Sequence, residues 1–290
     1  MKQYLELMQN VLDNGVMTDD RTGVGTISLF GTQLRFDCSG NKFPLLTTKK
    51  MALRAIIGEQ LWMFEGSANV NRLRDITYGP GSTKATIWDA NYEKQGKALG
   101  YDNGYLGPVY GAQWRNFGGS PHRGGVDQLF RVIETLKNNP RDRRMLVSAW
   151  DPNSMDAMAL PPCHYAFQFY VRGNNILDLM FHMRSVDVFL GMPFDIASYA
   201  LTLKIVASMV GMEPGEVVFT GGNTHIYMNH IEQCKEQLTR EPFEGPELHW
   251  PGVPAGTTQE QFEFVKTLRV EDFKIVNYES HPAIKAPMAV

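Results

Sequence analysis

The run from Phe167 to Met183 constrains this chain more than any other. Phe167, Phe169 and Val171 alternate along one strand, RGNN (172–175) supplies a turn, and Leu177, Leu179, Phe181 and Met183 alternate along the next. Such a hairpin carries an apolar face that has to be covered. The most apolar stretch follows at once, from Ile196 to Met212, broken by Ser198, Tyr199, Thr202, Lys204 and Ser208. Those interruptions suit a helix over about 194–211 inside a soluble core better than a membrane span. A short strand VVFTGG (217–222) and a helix over about 225–239 are predicted next.

Upstream, the first fifteen residues read as a short amphipathic helix and lack the apolar core of an export signal. Ile27 and Leu29, then Leu34 and Phe36, flank a glycine and predict two strands joined by a turn. Helical spacing relates Leu53, Ile56, Ile57, Leu61 and Phe64 within residues 50–75, and Leu129, Val132, Ile133 and Leu136 within 126–138. Residues 145–150 predict a strand, while 78–83 and 115–125 are glycine-rich loops. Four prolines between 240 and 258 mark a surface connection rather than a boundary, so residues 1–290 are expected to form one domain. Strands and helices mix without regular βαβ alternation, which predicts an α+β fold around a twisted sheet.

With 43% hydrophobic and 20% charged residues, disordered, collagen-like and coiled-coil chains are excluded. A net charge of −3 argues against a nucleic-acid coat or a membrane-surface patch but leaves room for a local cationic pocket. Cys38, Cys163 and Cys234 are far apart and form no CxxC. Neither a disulfide framework nor a zinc cage is expected, and a reducing cytoplasm is the simplest location.

Three features carry chemistry. Cys163 follows two prolines and precedes a strand, so its thiol projects from a stiff edge, as a nucleophile or as a small buried hydrophobe. His164 beside it points to the opposite face and is poorly placed as its base. Arg21, the pair Arg143 and Arg144, and Arg184 are planar forks suited to a phosphate dianion, or are solvated surface charge. Glu59 falls among apolar helix positions, either at the edge of the stripe or buried with a raised pKa fit for moving a proton.

The segments LPPCH (160–164), RSVDVFLGMPFDIASYAL (184–201) and TGGNTHIYMNH (220–230), in that order, strongly resemble the thymidylate synthase family. So do DRTGVGT near the start, IWD, YLGPVYGAQWR (105–115), RRMLVSAW and the C-terminal HPAIKAPMAV. The resemblance implies a twisted mixed β-sheet with flanking helices and a long buried central helix, in a subunit that forms a homodimer through the sheet. It implies a pyrimidine deoxynucleotide and 5,10-methylenetetrahydrofolate, without metal, nucleic acid or membrane. Cys163 would add to C6 of the pyrimidine, turning C5 into a nucleophile. Arg21, Arg184 and Ser185, with Arg143 and Arg144 reaching over from the partner subunit, would hold the 5′-phosphate. His225 and Tyr227 would hold the sugar 3′-hydroxyl, and His164 lies beside the substrate. Glu59 would relay protons at the C4 substituent. Trp88, Asp187, Gly191, Phe194 and the terminal Ala289 would line the folate, with Tyr110 beside the C5 proton.

Asp195 departs from the family, whose pattern reads PFNIAS where this chain has PFDIAS. An amide pairs with N3–H and O4 of uracil, whereas a protonated carboxyl can donate to N3 of cytosine and accept from its amino group. The expected substrate is therefore dCMP, methylated at C5 with dihydrofolate as co-product. The alternatives are a dCMP hydroxymethylase, in which water takes the place of hydride, and an ordinary dUMP-methylating synthase. Trp88 and the complete tail KAPMAV favour a dry site and methyl transfer, and Asn91 in place of a family tryptophan opposes it. Met183 stands in place of a glutamine, and Asn223 in place of an aspartate. Cytoplasmic location is expected, in a host cell if the source is a virus.

Overall fold

The computed structural model describes residues 1–20, 22–119 and 124–288. Arg21 and Ala289 lie outside the described residues. A six-stranded mixed sheet forms the centre, in the order β1 (Val16–Thr18), β2 (Thr26–Asp37), β6 (Glu213–Tyr227), β5 (Ile176–Asp187), β4 (His164–Arg172), β3 (Leu146–Ser148). Only β5 and β6 run parallel; every other pair is antiparallel. The β4–β5 hairpin forms as its alternation predicts, turning at Gly173 with φ +61°. A parallel neighbour cannot be reached by a tight turn, so β5 and β6 are joined through a crossover helix, α7 (Gly191–Val210).

Helices α1 (Lys2–Asn14), α2 (Leu53–Glu65), α3 (Val70–Tyr78), the single turn α4 (Asp89–Asn91), α5 (Tyr110–Asn116), α6 (Gln128–Asn138) and α8 (Ile231–Leu238) surround the sheet. The apolar face of the hairpin packs on α7. The ring of Phe181 stacks on Tyr199 at 4.2 Å and 14°, and Phe167 meets the same tyrosine edge-on. Lys204 is buried within α7, where its ammonium donates to the carbonyls of Cys38 (3.0 Å) and Gly40 (2.7 Å). That pairing lets a charge interrupt an otherwise apolar helix. Among the described residues α7 is the one helix long and apolar enough to cross a membrane, and it is mostly buried inside the fold.

Three expectations about elements are corrected. Gly31 does not turn β2 back on itself. Its φ of +83° is absorbed within one twelve-residue strand, because β6 is long enough to pair with both halves, from Thr26↔Tyr227 to Asp37↔Glu216. The predicted helix at 225–239 begins only at Ile231, since His225 and Tyr227 still belong to β6. The helical run over 50–75 is two helices, α2 and α3, divided at the left-handed Gly66.

Gly107 lies ahead of α5 with φ +78°, and a Cβ there would sit 1.8 Å from the Ala157 carbonyl oxygen. Gly107→Ala is expected to cost roughly 2–4 kcal/mol from left-handed strain and overpacking, read as a lowered thermal midpoint.

Candidate active site

The sheet order brings the predicted residues of three segments to one place. Cys163 immediately precedes β4, whose first residue, His164, is in register with Met183 on β5. One strand further, Ser185 faces Asn223 and Asp187 faces His225, while Thr26 of β2 pairs with Tyr227. A thiol, an arginine, a serine, an imidazole and a phenol thus share one end of adjacent strands.

Cys163 is half-buried and held by its backbone. Its N–H donates to the Tyr110 hydroxyl at 2.9 Å, and its carbonyl accepts from the Arg184 N–H at 2.9 Å. The Arg184 guanidinium donates through Nε to the Pro162 carbonyl and through Nη2 to the Pro161 carbonyl, each at 2.9 Å. The two prolines that stiffen the approach to the thiol are therefore clamped by a cation within β5, three residues before that strand ends. Tyr110 has a φ of +24°, a backbone conformation rare for a side chain of its size. Strain of this kind persists only where its surroundings enforce it. Here the phenol is fixed on Cys163, and the ring stacks on His164 at 4.1 Å and 21°.

From there an aromatic and polar chain runs into α7 and α2. His164 Nδ1 lies 2.9 Å from the Tyr199 hydroxyl, and His164 Nε2 lies 3.8 Å from Asp195 Oδ1. On the other side Tyr110 meets Trp88 edge-on at 5.6 Å, and the Trp88 indole N–H donates to Glu59 Oε1 at 2.6 Å. Gly191 leaves room between Asp187 and Asp195. A Cβ there would lie 3.7 Å from Asp195 Oδ2 and 3.8 Å from Asp187 Cβ, which is ordinary contact. Phe194 is half-buried against the core.

Burial controls the electrostatics. It lowers the His164 pKa to about 3, so the imidazole is neutral and its approach to Asp195 is not an ion pair. Burial also raises Asp195 well above the carboxylate range, with the nearby charges of Glu59 and Asp187 adding to the effect. Glu59 is raised by burial, opposed in part by the indole N–H. Burial likewise keeps the phenols of Tyr110 and Tyr199 protonated. On the β6 side, His225 Nδ1 lies 2.8 Å from Asn223 Oδ1, its ring meets Tyr227 edge-on at 5.0 Å, and burial lowers its pKa. Asp187 Oδ1 accepts the N–H groups of Phe189 and Leu190, both at 3.0 Å.

Arg143 and Arg144 are not brought to this cluster within one chain. They precede β3, whose Leu146 pairs with Gln168, five residues along β4 from Cys163 and about 17 Å away at strand spacing. The Arg144 guanidinium is exposed and pairs with Asp142 at 2.8 Å.

Sequence reasoning missed Tyr199, noting it only as a polar break in the apolar helix. Its spacing of four from Asp195 was the available signal, because that spacing places both on one helix face. His230 was missed as well. It closes the segment TGGNTHIYMNH, but that segment does not reveal its partner, the Pro287 carbonyl fifty-seven residues away.

A sequence profile described as thymidylate synthase matches residues 2–290. The thymidylate synthase of Enterobacteria phage T4 is 54% identical over 294 residues, and the probable thymidylate synthase of Escherichia phage T5 is 46% identical over 296 residues. Both alignments cover all of this chain and all of the relative. The crystal structure of thymidylate synthase from T4 phage matches with a TM-score of 0.93 at 54% identity, covering both chains completely. By sequence and by fold, this chain belongs to the thymidylate synthase family, enzymes that transfer one carbon from methylenetetrahydrofolate to a pyrimidine nucleotide.

Proposed function

We propose that this member of the family acts on dCMP, transferring the one-carbon unit to C5 and yielding 5-methyl-dCMP and dihydrofolate. The observation that carries the reading is Asp195, a carboxyl set beside the His164–Tyr199 pair, whose pKa burial and the nearby charges of Glu59 and Asp187 raise well above the ordinary carboxylate value. A neutral carboxylic acid offers one donor and one acceptor side by side, the complement of N3 and the amino group of cytosine. With the proton on the oxygen that faces N3, uracil would set O4 against an acceptor and N3–H against a donor. Leaving such buried groups mismatched costs roughly 2–5 kcal/mol, enough for about 10³-fold discrimination.

In this reading the Cys163 sulfur adds to C6, and the bond it forms makes C5 electron-rich. Arg21, Arg184 and Ser185 hold the 5′-phosphate, with Arg143 and Arg144 supplied by a second subunit, since in their own chain they lie too far along β4. His225 and Tyr227 take the sugar hydroxyl, and Glu59 moves protons at the C4 substituent. Met183 and Asn223 lie on the same strand ends, and nothing in the structure explains either replacement.

Trp88, Tyr110 and Trp62 form a run of aromatic rings, Trp62 and Trp88 5.9 Å apart and Trp88 and Tyr110 5.6 Å apart, and Asp187 supplies a carboxylate on β5. Rings and carboxylate fit a flat, polar-edged pterin. When bound, methylenetetrahydrofolate supplies the carbon and then the hydride. The residues around it exclude water, and this favours methyl over hydroxymethyl as the product. The names of the phage relatives favour a second reading, a uracil-reading synthase, in which Asp195 does not pair with the base.

Incubation with methylenetetrahydrofolate and either nucleotide separates these readings. Release of the C5 hydrogen from dCMP with a rise in dihydrofolate absorbance is expected. Hydrogen release without dihydrofolate identifies hydroxymethylation, and turnover of dUMP alone overturns the reading.

A further inference from the structure

Tyr199 is buried on α7, and its ring is fixed by Phe181, which stacks on it, and by Phe167 and Trp114 beside it. Among the described residues its hydroxyl has one hydrogen-bond partner, His164 Nδ1 at 2.9 Å. A buried phenol proton left without an acceptor is costly, so the hydroxyl donates and Nδ1 accepts. The neutral imidazole has a single N–H, and with Nδ1 accepting, that proton sits on Nε2. The ring is held in this orientation by Tyr110, stacked on its face, and by Tyr199, which meets it edge-on at 5.5 Å and 85°. Nε2 faces Asp195 Oδ1 at 3.8 Å, beyond hydrogen-bond reach, while Oδ2 lies toward Gly191. In a buried site a dipole still acts at that range. The positive end of the N–H favours the carbonyl oxygen of a neutral carboxyl at Oδ1 and disfavours the O–H there.

We propose that Tyr199 is a positioning residue for base choice: its donation to Nδ1 keeps the His164 proton on Nε2, which makes Oδ1 of Asp195 the acceptor and Oδ2 the donor. Cytosine then meets that pair with its amino group at Oδ1 and N3 at Oδ2. The opposite tautomer would set a bare Nε2 against Oδ1 and draw the carboxyl proton to that oxygen. The same side chain would then offer the complement of uracil, a donor for O4 and an acceptor for N3–H. This role rests on the pairing of Asp195 with the base.

The long-range proton–nitrogen spectrum of the full chain, labelled with nitrogen-15 histidine, reads the tautomer, with His164→Gln assigning the signal. A proton on Nε2 of His164 is expected, and a proton on Nδ1 overturns the proposal. Tyr199→Phe keeps the ring packing and removes only the hydroxyl. In that variant the His164 proton is expected to spread over both nitrogens. The ratio of kcat/KM for dCMP to that for dUMP is expected to fall by about tenfold, the equivalent of one net hydrogen bond. Losses shared by both nucleotides, which leave the ratio within about twofold of the wild type, mark a structural role and overturn the proposal. If the variant does not fold, the wild-type spectrum decides alone. If the wild type turns over dUMP alone, the Asp195 reading fails whichever nitrogen holds the proton. A proton on Nδ1 then overturns the Tyr199 assignment as well, and a proton on Nε2 keeps it as the residue that sets the imidazole.

Discussion

Asp195→Asn is expected to invert base preference. With the amide in place, the ratio of kcat/KM for dCMP to that for dUMP should fall by about 10³-fold or more, because the buried pairing that suits cytosine becomes the one that suits uracil. The readout is dihydrofolate formation with each nucleotide, and an unchanged ratio removes the basis of the substrate assignment. The substitution also carries a pH signature. dCMP turnover by the wild type should decline as pH rises through the elevated pKa of Asp195, while dUMP turnover by the variant should lack that limb. Stability follows the same proton. Below the ordinary carboxylate range, folded and unfolded chains both hold it. As pH climbs, the unfolded chain releases the proton first, so wild-type stability is full in acid and is lost progressively up to the folded pKa. Asparagine has no proton to lose, and the thermal midpoint of the variant should exceed that of the wild type by a margin that grows from pH 4 to pH 8.

Cys163→Ala is expected to lower turnover by about 10⁴-fold or more, since without the sulfur no adduct forms at C6 and C5 stays unreactive. Nucleotide affinity should change far less. The N–H of residue 163 donates to Tyr110 and its carbonyl accepts from Arg184, and alanine keeps both of these backbone contacts. A denaturation-stable protein–nucleotide adduct, detectable by mass in the wild type, should be absent from the variant. Residual turnover within tenfold of the wild type would show that this thiol is not the nucleophile.

The sequence made the hairpin and the long apolar helix readable because both depend on local periodicity. It misjudged β2 and the end of β6 because a strand's length is set by its neighbour. Gly31 looks like a turn until a fifteen-residue partner is seen alongside it. The site divides in the same way. Motif-borne residues such as Cys163, Arg184 and His225 could be named in advance. The carbonyl clamp from Arg184 onto Pro161 and Pro162, the strained Tyr110 and the bond from Tyr199 to His164 could not, because each joins residues at least twenty positions apart.

The crossover through α7 has a genetic consequence. The strand carrying Arg184 and Ser185, the helix carrying Asp195 and the strand carrying His225 and Tyr227 are consecutive in the chain. The groups assigned here to phosphate, base and sugar within one subunit, apart from Arg21, are therefore encoded in a single uninterrupted tract. One recombination event spanning that tract would transfer nucleotide choice between lineages intact, leaving the thiol, Glu59 and the tail to be inherited from the other parent.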